Sequence, residues 1–332
     1  PIRINDHEMP VDGKNHFFDY DQLSLPPAVL RPGTNTFEIR SNTEHHMLEV
    51  LWPGPAITVR IPKPKVAIRD GRYENRDHFV IDTPRATYWL DKNSGGLSRL
   101  VDQDGNDWIA FKTKPWDEYP ASAASSFRGM PNLLFQGDEG GFGHPGWDRG
   151  TSKQIDERTI LATSKSGKWR LRWSFDDVSV YLDVETDDPD RKYWFLYEGP
   201  ILGRWSPGEQ YFATDTIAPD LKPHDYFAGD KVFEPFTWAY MGDKAAPRVL
   251  AIVHHPGGNR IPDDIIDTYA HLGNTPRGLE SPDGMVVFGF GRGKKGIQPL
   301  LRDRQSFRIG LIESAGETNE QYRAIGKQLE SW

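Results

Sequence analysis

The stretch WRLRWSFDDVSVYLDVE, which spans residues 169–185, decides the fold class of this 332-residue chain. Apolar and polar residues alternate on both sides of the Asp176-Asp177 pair, and side chains at every second position of a strand share one face of a sheet. The first half therefore places two Trp, one Leu and one Phe on one face. The second half does the same with three Val and one Leu. The stretch predicts two strands joined by a short turn.

The same alternation recurs along the chain and is interrupted by turns rich in Gly, Asn and Asp. Helical signals are few: Pro262–Leu272 is a short candidate, and Thr318–Leu329 is the clearest, with Thr318 as the N-cap residue. About a dozen strands with long loops predict an all-β fold, a large antiparallel β-sandwich with few short helices. The further predicted strands include Arg85–Leu90, Leu97–Val101, Tyr193–Tyr197, Val249–Val253, Gly284–Phe290 and Gln305–Ile312.

The composition excludes several classes of protein. The chain has 40 Lys and Arg against 48 Asp and Glu, and it has no basic stripe, so nucleic acid is not an expected partner. No segment approaches about 18 consecutive apolar residues, so we expect no membrane-spanning segment. The absence of Cys excludes disulfides, zinc-thiolate sites and thiol nucleophiles. Secreted and periplasmic bacterial proteins often lack Cys, and we expect one of these two locations.

The first 62 residues are predicted to be a separate β segment. The phrase Leu-x-Pro-Gly-x-Asn at residues 30–35, followed by an alternating strand, resembles the late strands of jelly-roll, galactose-binding-like modules. Pro62 and Pro64 predict a stiff linker, because alternate prolines favour extended backbone. We therefore predict two domains, a small jelly-roll-like β segment at residues 1–62 and the large sandwich at residues 66–332.

A second resemblance concerns the large domain. The run ATYWLDKNSGGLSRLVD, residues 86–102, continues to Asp107-Trp108-Ile109. It resembles the opening strands of galactose-mutarotase-like supersandwich domains of carbohydrate-active enzymes, polysaccharide lyases among them. The resemblance implies a mutarotase-like β-supersandwich and a carbohydrate ligand. It does not fix the reaction, because the same fold serves sugar epimerases, polysaccharide lyases and glycoside hydrolases.

A polar loop is predicted at residues 126–149, with seven glycines between Gly129 and Gly150. So many glycines argue against a packed element, yet the loop contains aromatic residues, which is typical of a loop that lines a binding site. The alternative is an ordered surface loop with salt-bridged charges. The chemically useful residues of the loop are Arg128, Asn132, Asp138, Glu139, His144 and Trp147.

The loop residues suit β-elimination on a uronic-acid glycan. That reaction needs a base that removes the C5 proton and a group that neutralises the sugar carboxylate. His144 is a candidate base, and Arg128 and Asn132 are candidates for the carboxylate partner.

Hydrolysis and mutarotation would use other residues. In glycosidic hydrolysis two carboxylates flank the bond, and Asp138, Glu139 and Glu198 are candidates. A mutarotase-like reaction needs a carboxylate base and a histidine acid. Glu198 or Glu280 could be the base, and His144 or His254 the acid.

Further candidates lie at the ends of predicted strands and in the loops between residues 200 and 240. His254-His255 ends one strand, where either ring could be a base; one buried, hydrogen-bonded His beside an exposed one is the alternative. Glu198 ends another strand, where a solvated ion pair is the alternative to catalysis. Aromatic rings could stack on sugar faces, although a single ring is more often a core residue. The sugar-binding candidates here are Arg204, Trp205, Tyr211, Tyr226 and Trp238.

No cofactor is predicted from the sequence. Asp102–Asn106 and Asp187–Asp190 have oxygen ligands at spacings that Ca²⁺ could use, but both are explained as hairpin turns, so a structural calcium ion is only the alternative. The glycines of GFGRG, residues 289–293, precede no helical pattern and do not predict a phosphate loop.

Three functions follow from these patterns. The first hypothesis is a secreted polysaccharide lyase that cleaves a uronic-acid-containing glycan by β-elimination, with a polysaccharide or oligosaccharide as its substrate. The second is a glycoside hydrolase or a sugar epimerase that uses carboxylates. The third is a non-catalytic carbohydrate-binding protein, in which the aromatic rings alone would matter.

Overall fold

The computed structural model divides the chain into two compact units, Pro1–Pro62 and Lys63–Trp332. In the part that the structure describes, no helix is long and apolar enough to cross a membrane. The described residues are 2–9, 25–31, 33–40, 65–119, 124–133, 140–188, 191–256, 267–273, 279–292 and 299–332.

The described part of the N-terminal unit contains a small antiparallel sheet with the strand order β2-β1-β3. Its strands are β1 (Ile2–Ile4), β2 (His7–Met9) and β3 (Phe37–Ile39), and Pro27–Val29 forms a 3-10 turn. The side chain of Asn5 donates hydrogen bonds to the carbonyl oxygen of Val29 and to Oδ1 of Asn35, at 2.8 and 2.9 Å. Most of residues 10–64 lie outside the described part, so the jelly-roll-like assignment and the domain limits stay predictions.

The described part of the large unit contains three antiparallel sheets. The first has the order β4-β5-β6-β7, the second β13-β14-β15-β18-β11-β10-β9-β8, and the third β12-β17-β16. The strands are β4 (Ala67–Tyr73), β5 (Arg76–Asp82), β6 (Ala86–Asp91), β7 (Leu97–Asp102), β8 (Gly150–Gln154), β9 (Thr159–Ser164), β10 (Trp169–Phe175), β11 (Val180–Thr186), β12 (Phe195–Gly199), β13 (Gln210–Thr214), β14 (Trp238–Asp243), β15 (Val249–Pro256), β16 (Thr268–Leu272), β17 (Met285–Phe290) and β18 (Gln305–Ile312).

Helices are short in the described part of this unit. They are α1 (Ala124–Phe127), α2 (Asn319–Glu330) and two 3-10 turns, Pro115–Asp117 and Ile201–Gly203. α2 begins with a capping box, in which Oγ1 of Thr318 accepts from the N–H of Gln321 and the Gln321 side chain accepts from the N–H of Thr318.

One apolar core joins the three sheets of the large unit. The rings of Phe195 on β12 and Phe307 on β18 stack with centroids 4.3 Å apart, and Tyr88 on β6 lies 5.4 Å from Phe175 on β10. The eight-stranded sheet therefore packs against both smaller sheets, which makes the unit a sandwich. The predicted fold class, an all-β antiparallel β-sandwich with few short helices, is confirmed.

The stretch at residues 169–185 forms the predicted pair of strands. β10 and β11 pair antiparallel over seven residues each, and the alternating apolar side chains of both strands are buried. The predicted helix after Thr318 is also confirmed as α2. Both elements have local sequence signals, a period of two and an N-cap motif, and local signals are the ones that a sequence carries directly.

The helix predicted over Pro262–Leu272 is wrong for its second half, because Thr268–Leu272 forms β16. Residues 262–266 lie outside the described part. β16 pairs with β17 along its whole length, and Tyr269 stacks on Phe212 with ring centroids 4.0 Å apart. Long-range pairing and packing here outweigh the local pattern.

The loop predicted at residues 126–149 is more tightly packed than its glycine content indicated. Residues 140–145 are buried, and Phe142 has no exposed surface. Gly141 and Gly143 have φ values of +88° and +86°, and a Cβ at Gly141 would collide with the ring of Trp147. The glycines here allow close packing instead of loop mobility.

Trp173 provides a test of the core. Its side chain is fully buried, and its Nε1 donates a 2.9 Å hydrogen bond to the carbonyl oxygen of Gly95. We expect Trp173→Phe to lower the free energy of unfolding by about 2–3 kcal/mol, because it opens a cavity and leaves that carbonyl unpaired. Equilibrium urea unfolding measures the change.

The matched control is Trp116→Phe, since Trp116 is 51% exposed. The same chemical change should there cost less than about 0.5 kcal/mol. Equal losses in the two variants would contradict the assignment of Trp173 to the core that joins the sheets.

Candidate active site

Glu198 lies on the face of the β12-β17-β16 sheet that points away from the main core. Phe195 and Tyr197 of the same strand belong to that core, and Glu198 alternates with them. Its cross-strand partner is Val287 of β17, which packs with Met285 in a separate small apolar cluster. β12 therefore buries aromatic rings on one face and a carboxyl group on the other.

The surroundings of Glu198 favour its protonated form. The residue is only 6% exposed, and burial raises its pKa to about 7. Two groups act in the opposite direction: Nδ2 of Asn132 donates a 2.5 Å hydrogen bond to Oε2 of Glu198, and the positive charge of Arg292 lowers the pKa. A carboxyl group with a pKa near 7 is suited to exchange a proton with a substrate at neutral pH.

The backbone around Asn132 explains its place beside Glu198. The N–H of Gly129 donates to the carbonyl oxygen of Glu198 at 2.8 Å, and the N–H of Glu198 donates back at 3.0 Å. The N–H of Asn132 donates to the carbonyl oxygen of Leu196, also at 3.0 Å. Residues 129–133 thus run along the edge of β12, and this pairing fixes the amide of Asn132 next to the carboxyl group.

Arg292 follows β17, directly after a turn at Gly291. Gly291 has a φ of +70°, and its N–H donates to Oδ1 of Asp267 at 2.9 Å. The guanidinium of Arg292 donates from Nη2 to the hydroxyl of Tyr226 at 3.2 Å, and it lies 5.1 Å from that ring and 6.0 Å from the ring of Trp194. Arg292 is 9% exposed, and its buried Nη1 has no hydrogen-bond partner among the described residues. A buried cationic donor in this state is suited to bind an anion.

A second cation, Lys231, lies on the same aromatic ring. Its Nζ is 4.2 Å from the centroid of Tyr226, and burial together with the charge of Arg292 lowers its pKa. Phe227 is 54% exposed and packs edge-on against Tyr226, with centroids 5.9 Å apart. We call Trp194, Tyr226, Lys231 and Arg292 the cationic cluster.

All three strands of one sheet contribute to this arrangement. Glu198 lies on β12, Arg292 follows β17, and the segment that carries Lys231 is bridged to β16. The site combines a buried carboxyl group of raised pKa with two cationic side chains. Such a pair can act on a substrate that has both a negative group and a weakly acidic hydrogen.

The other described loop candidates make structural contacts. Arg128 is 7% exposed and donates to three backbone carbonyl oxygens at 2.7–3.2 Å. His144 donates from Nε2 to the carbonyl oxygen of Phe127 at 3.2 Å, and burial lowers its pKa to about 4. Trp147 is 48% exposed and lies 5.9 Å from the guanidinium of Arg149. Asp138 and Glu139 lie outside the described residues, and the roles of all these residues stay predictions.

The two rings of the His254-His255 pair point to opposite faces of β15. His254 is buried in the core, where Nε2 donates to Gln305 at 2.7 Å and the ring stacks on Phe307 at 4.8 Å. His255 faces the outer side of the sheet and is half-buried. Trp238 lies on that outer side too, stacked on Tyr240 with centroids 6.2 Å apart.

The remaining sugar-binding candidates divide into two groups. Arg204 is paired with Asp243, Trp205 donates to a backbone carbonyl at 3.1 Å, and the buried hydroxyl of Tyr211 accepts from a backbone N–H at 2.9 Å. These contacts stabilise the fold. Tyr226, in contrast, belongs to the cationic cluster, whose Arg292 lowers the pKa of Glu198.

Among the described residues, no group of three or more His, Asp or Glu side chains could hold a metal ion. The carboxylate of Asp102 accepts hydrogen bonds from Asn106 and from Nε1 of Trp108, and it pairs with Arg248 at 3.0 Å. These partners account for the Asp102–Asn106 turn, while the alternative of a structural calcium ion stays a prediction.

The sequence analysis missed two charged residues of the site. Arg292 lies in GFGRG, residues 289–293, which was considered only as a phosphate loop. Arg292 could have been found from its position, because it is a charged residue just after a predicted strand. The same kind of position singled out Glu198. Lys231 has no comparable signal, because its position depends on a segment that is bridged to a distant strand.

Comparison with known proteins gives fold similarity only. No family model matches the chain, and no curated protein matches its sequence. A galactose mutarotase-like protein from Lactobacillus casei is 12% identical with a TM-score of 0.44, and the match covers 71% of this chain and 100% of that one. A xanthan lyase from Paenibacillus is 11% identical with a TM-score of 0.45, over 81% of this chain and 27% of that one.

The periplasmic domain of YidC from Thermotoga maritima also matches, with 10% identity and a TM-score of 0.36 over 80% of this chain and 98% of that one. At these identities the similarities concern the fold and not the activity. Galactose mutarotase-like proteins, the class that the sequence of the large domain resembles, are thus among the structures that match this chain.

Proposed function

We propose that the protein is a carbohydrate-active enzyme in which Glu198 is the catalytic base, and that it cleaves a uronic-acid-containing polysaccharide by β-elimination. The observation that carries the proposal is the buried carboxyl group of Glu198, bonded to Asn132 and influenced by the charge of Arg292. Proton abstraction next to a sugar carboxylate needs a base and a cation together. Polysaccharides of this kind lie outside the cell, so the proposal includes a secreted or periplasmic location.

In the proposed reaction, Arg292 and Lys231 bind the uronate carboxylate and stabilise the negative charge that develops when C5 loses its proton. The carboxylate of Glu198 takes this proton. The electron pair of the C5–H bond forms the C4–C5 double bond, and the bond from C4 to the glycosidic oxygen breaks. Tyr226, whose hydroxyl accepts from Arg292, supplies a proton to the leaving oxygen. The products are an unsaturated uronate and a new sugar end.

The charge of the cationic cluster supports a negatively charged substrate. Lys231 and Arg292 lie 4.2 and 5.1 Å from the centroid of the Tyr226 ring, and neither has a carboxylate within ion-pair distance among the described residues. Burying a cation without a partner is costly, and an anionic ligand removes that cost. A neutral sugar would leave both charges unpaired.

Elimination fits this site better than hydrolysis. Hydrolysis needs a second carboxylate across the glycosidic bond. Among the described residues, the groups that shift the pKa of Glu198 are Asn132 and Arg292, and neither is an acid. A sugar epimerase would use the same base to remove a proton but would leave the glycosidic bond intact, so the reaction product separates these two possibilities.

The central test is a screen of uronic-acid polysaccharides, read by the near-ultraviolet absorbance of the unsaturated product. We expect absorbance to rise with at least one polysaccharide, and Glu198→Gln to reduce kcat by about 10²–10⁴-fold, because Gln cannot take the proton. The matched control is Glu209→Gln, whose side chain is 53% exposed, and it should keep full activity.

If new reducing ends appear without this absorbance, the reaction is hydrolysis and not elimination. The lyase proposal would also be contradicted if Glu198→Gln kept the activity of the unmodified protein. Retention on polysaccharide gels without any product would leave only carbohydrate binding.

The ionisation of Glu198 can be measured without a substrate. Its pKa of about 7 in the folded state exceeds the ordinary value of 4.5, so the folded state binds the proton more tightly than the unfolded state. Stability should therefore fall as pH rises from about 4.5 to about 7, by roughly 3 kcal/mol from this group, and then level off.

Glu198→Gln removes this contribution, because Gln does not titrate. We expect the variant to gain stability relative to the unmodified protein as pH rises from about 5 to about 8. Urea unfolding at several pH values measures the difference. A difference that stays constant with pH would show that the carboxyl group keeps an ordinary pKa.

Arg292→Gln tests the anion-binding part of the proposal. We expect kcat/KM on the uronic-acid polysaccharide to fall by about 10–100-fold, because a charge-assisted hydrogen bond to the carboxylate is lost. The matched control is Arg72→Gln, since the Arg72 side chain is 71% exposed. Equal activity of the two variants would remove Arg292 from the site.

A further inference from the structure

A pocket of about 340 Å³ lies on the outer face of the eight-stranded sheet, at the C-terminal end of α2. Its walls come from β14, β15 and the last residues of the chain, and they include Trp238, His255 and Trp332. Glu198 and the cationic cluster are not among the lining residues. The pocket is therefore separate from the candidate active site.

Two buried polar atoms of the lining residues have no hydrogen-bond partner among the described residues. They are Nε2 of His255 and Oδ1 of Asp215. The other oxygen of Asp215 accepts from the N–H and the hydroxyl of Thr237, at 3.0 and 2.6 Å, so the carboxylate is held in place. Buried polar atoms are nearly always paired, and a ligand that carries hydroxyl groups would pair both.

Two indole rings of the pocket are fixed by their own packing. Trp238 is 6% exposed and stacks on Tyr240 with an interplanar angle of 7°. The guanidinium of Arg308 lies 4.7 Å from the ring of Trp332, and a Cβ at Gly310 would be 3.0 Å from that ring. An indole ring that is packed on one side can offer its other side to the C–H face of a sugar ring.

The charges of the pocket differ in sign from those at the active site. Asp215 and Glu330 are the acidic residues of the lining, and no Lys or Arg lines it. The pKa of His255 is lowered by burial and by the charge of Arg308, so its ring is neutral at pH 7. The lining thus offers carboxylate acceptors and a neutral imidazole to the hydroxyl groups of a neutral sugar, while a cation close by, Arg308, is covered by the ring of Trp332.

We propose that this pocket is a second carbohydrate-binding site, which takes a neutral sugar unit against the ring of Trp332 and pairs its hydroxyl groups with Asp215 and His255. The site goes beyond the proposed lyase activity and does not depend on it. In a polysaccharide of mixed composition, it would hold a neutral unit while the cationic cluster holds an acidic one.

Isothermal titration calorimetry with four neutral tetrasaccharides tests the proposal: cellotetraose, maltotetraose, xylotetraose and mannotetraose. We expect at least one to bind with one-to-one stoichiometry, and Trp332→Ala and Asp215→Asn each to weaken binding by about tenfold or more. Trp116→Ala, at a 51% exposed indole outside the pocket, should leave binding unchanged, and so should Glu198→Gln.

Several results would overturn the proposal. One is the absence of binding by all four tetrasaccharides, and another is binding that Glu198→Gln weakens while Trp332→Ala does not. A tetragalacturonate that binds with the same dependence on Trp332 would contradict the neutral class of ligand. If Trp332→Ala unfolds the protein by circular dichroism, Asp215→Asn decides, because it keeps the shape of the side chain. The outcome is independent of the lyase screen, so each proposal can fail alone.

Discussion

The burial of β12 on both faces is the constraint on which the rest of the site depends. All five residues from Phe195 to Gly199 are buried, and the core face is locked by the stacking of Phe195 on Phe307 at 4.3 Å. With β17 on one edge and residues 129–133 on the other, the strand cannot turn Glu198 towards water. The carboxyl group must therefore be stabilised by protein groups, and the raised pKa follows from this placement.

The features that could be predicted from the sequence are those with local signals. The alternation at residues 169–185 has a period of two, and it predicted β10 and β11 because the period sets the faces of a strand directly. Glu198 was also singled out locally, as a charged residue at the end of a strand. Its hydrogen-bond partner Asn132 lies 66 residues away in the chain, so no local pattern could pair them.

The loop at residues 126–149 shows why polar composition alone could not place the candidate site. Arg128 and His144 have the residue types of catalytic groups, yet in this fold they donate to backbone carbonyls that are buried with them. A buried loop has many such carbonyls, and each needs a donor. A sequence does not distinguish an arginine that satisfies backbone groups from one that awaits a ligand. The distinction needs the three-dimensional contacts, which here favour Arg292 as the anion-binding group.

The energetic cost of the site supports a role in binding or catalysis rather than in stability. A buried carboxyl group and a buried guanidinium with an unpaired nitrogen are both expensive, and well-packed apolar residues in their places would make a more stable protein. The opposite face of the same sheet has such packing, with Tyr197, Phe288 and Tyr269 in one row. On the outer face, β12 instead carries the carboxyl group of Glu198, whose pKa the charge of Arg292 lowers. In the proposed function, a bound anion offsets this cost.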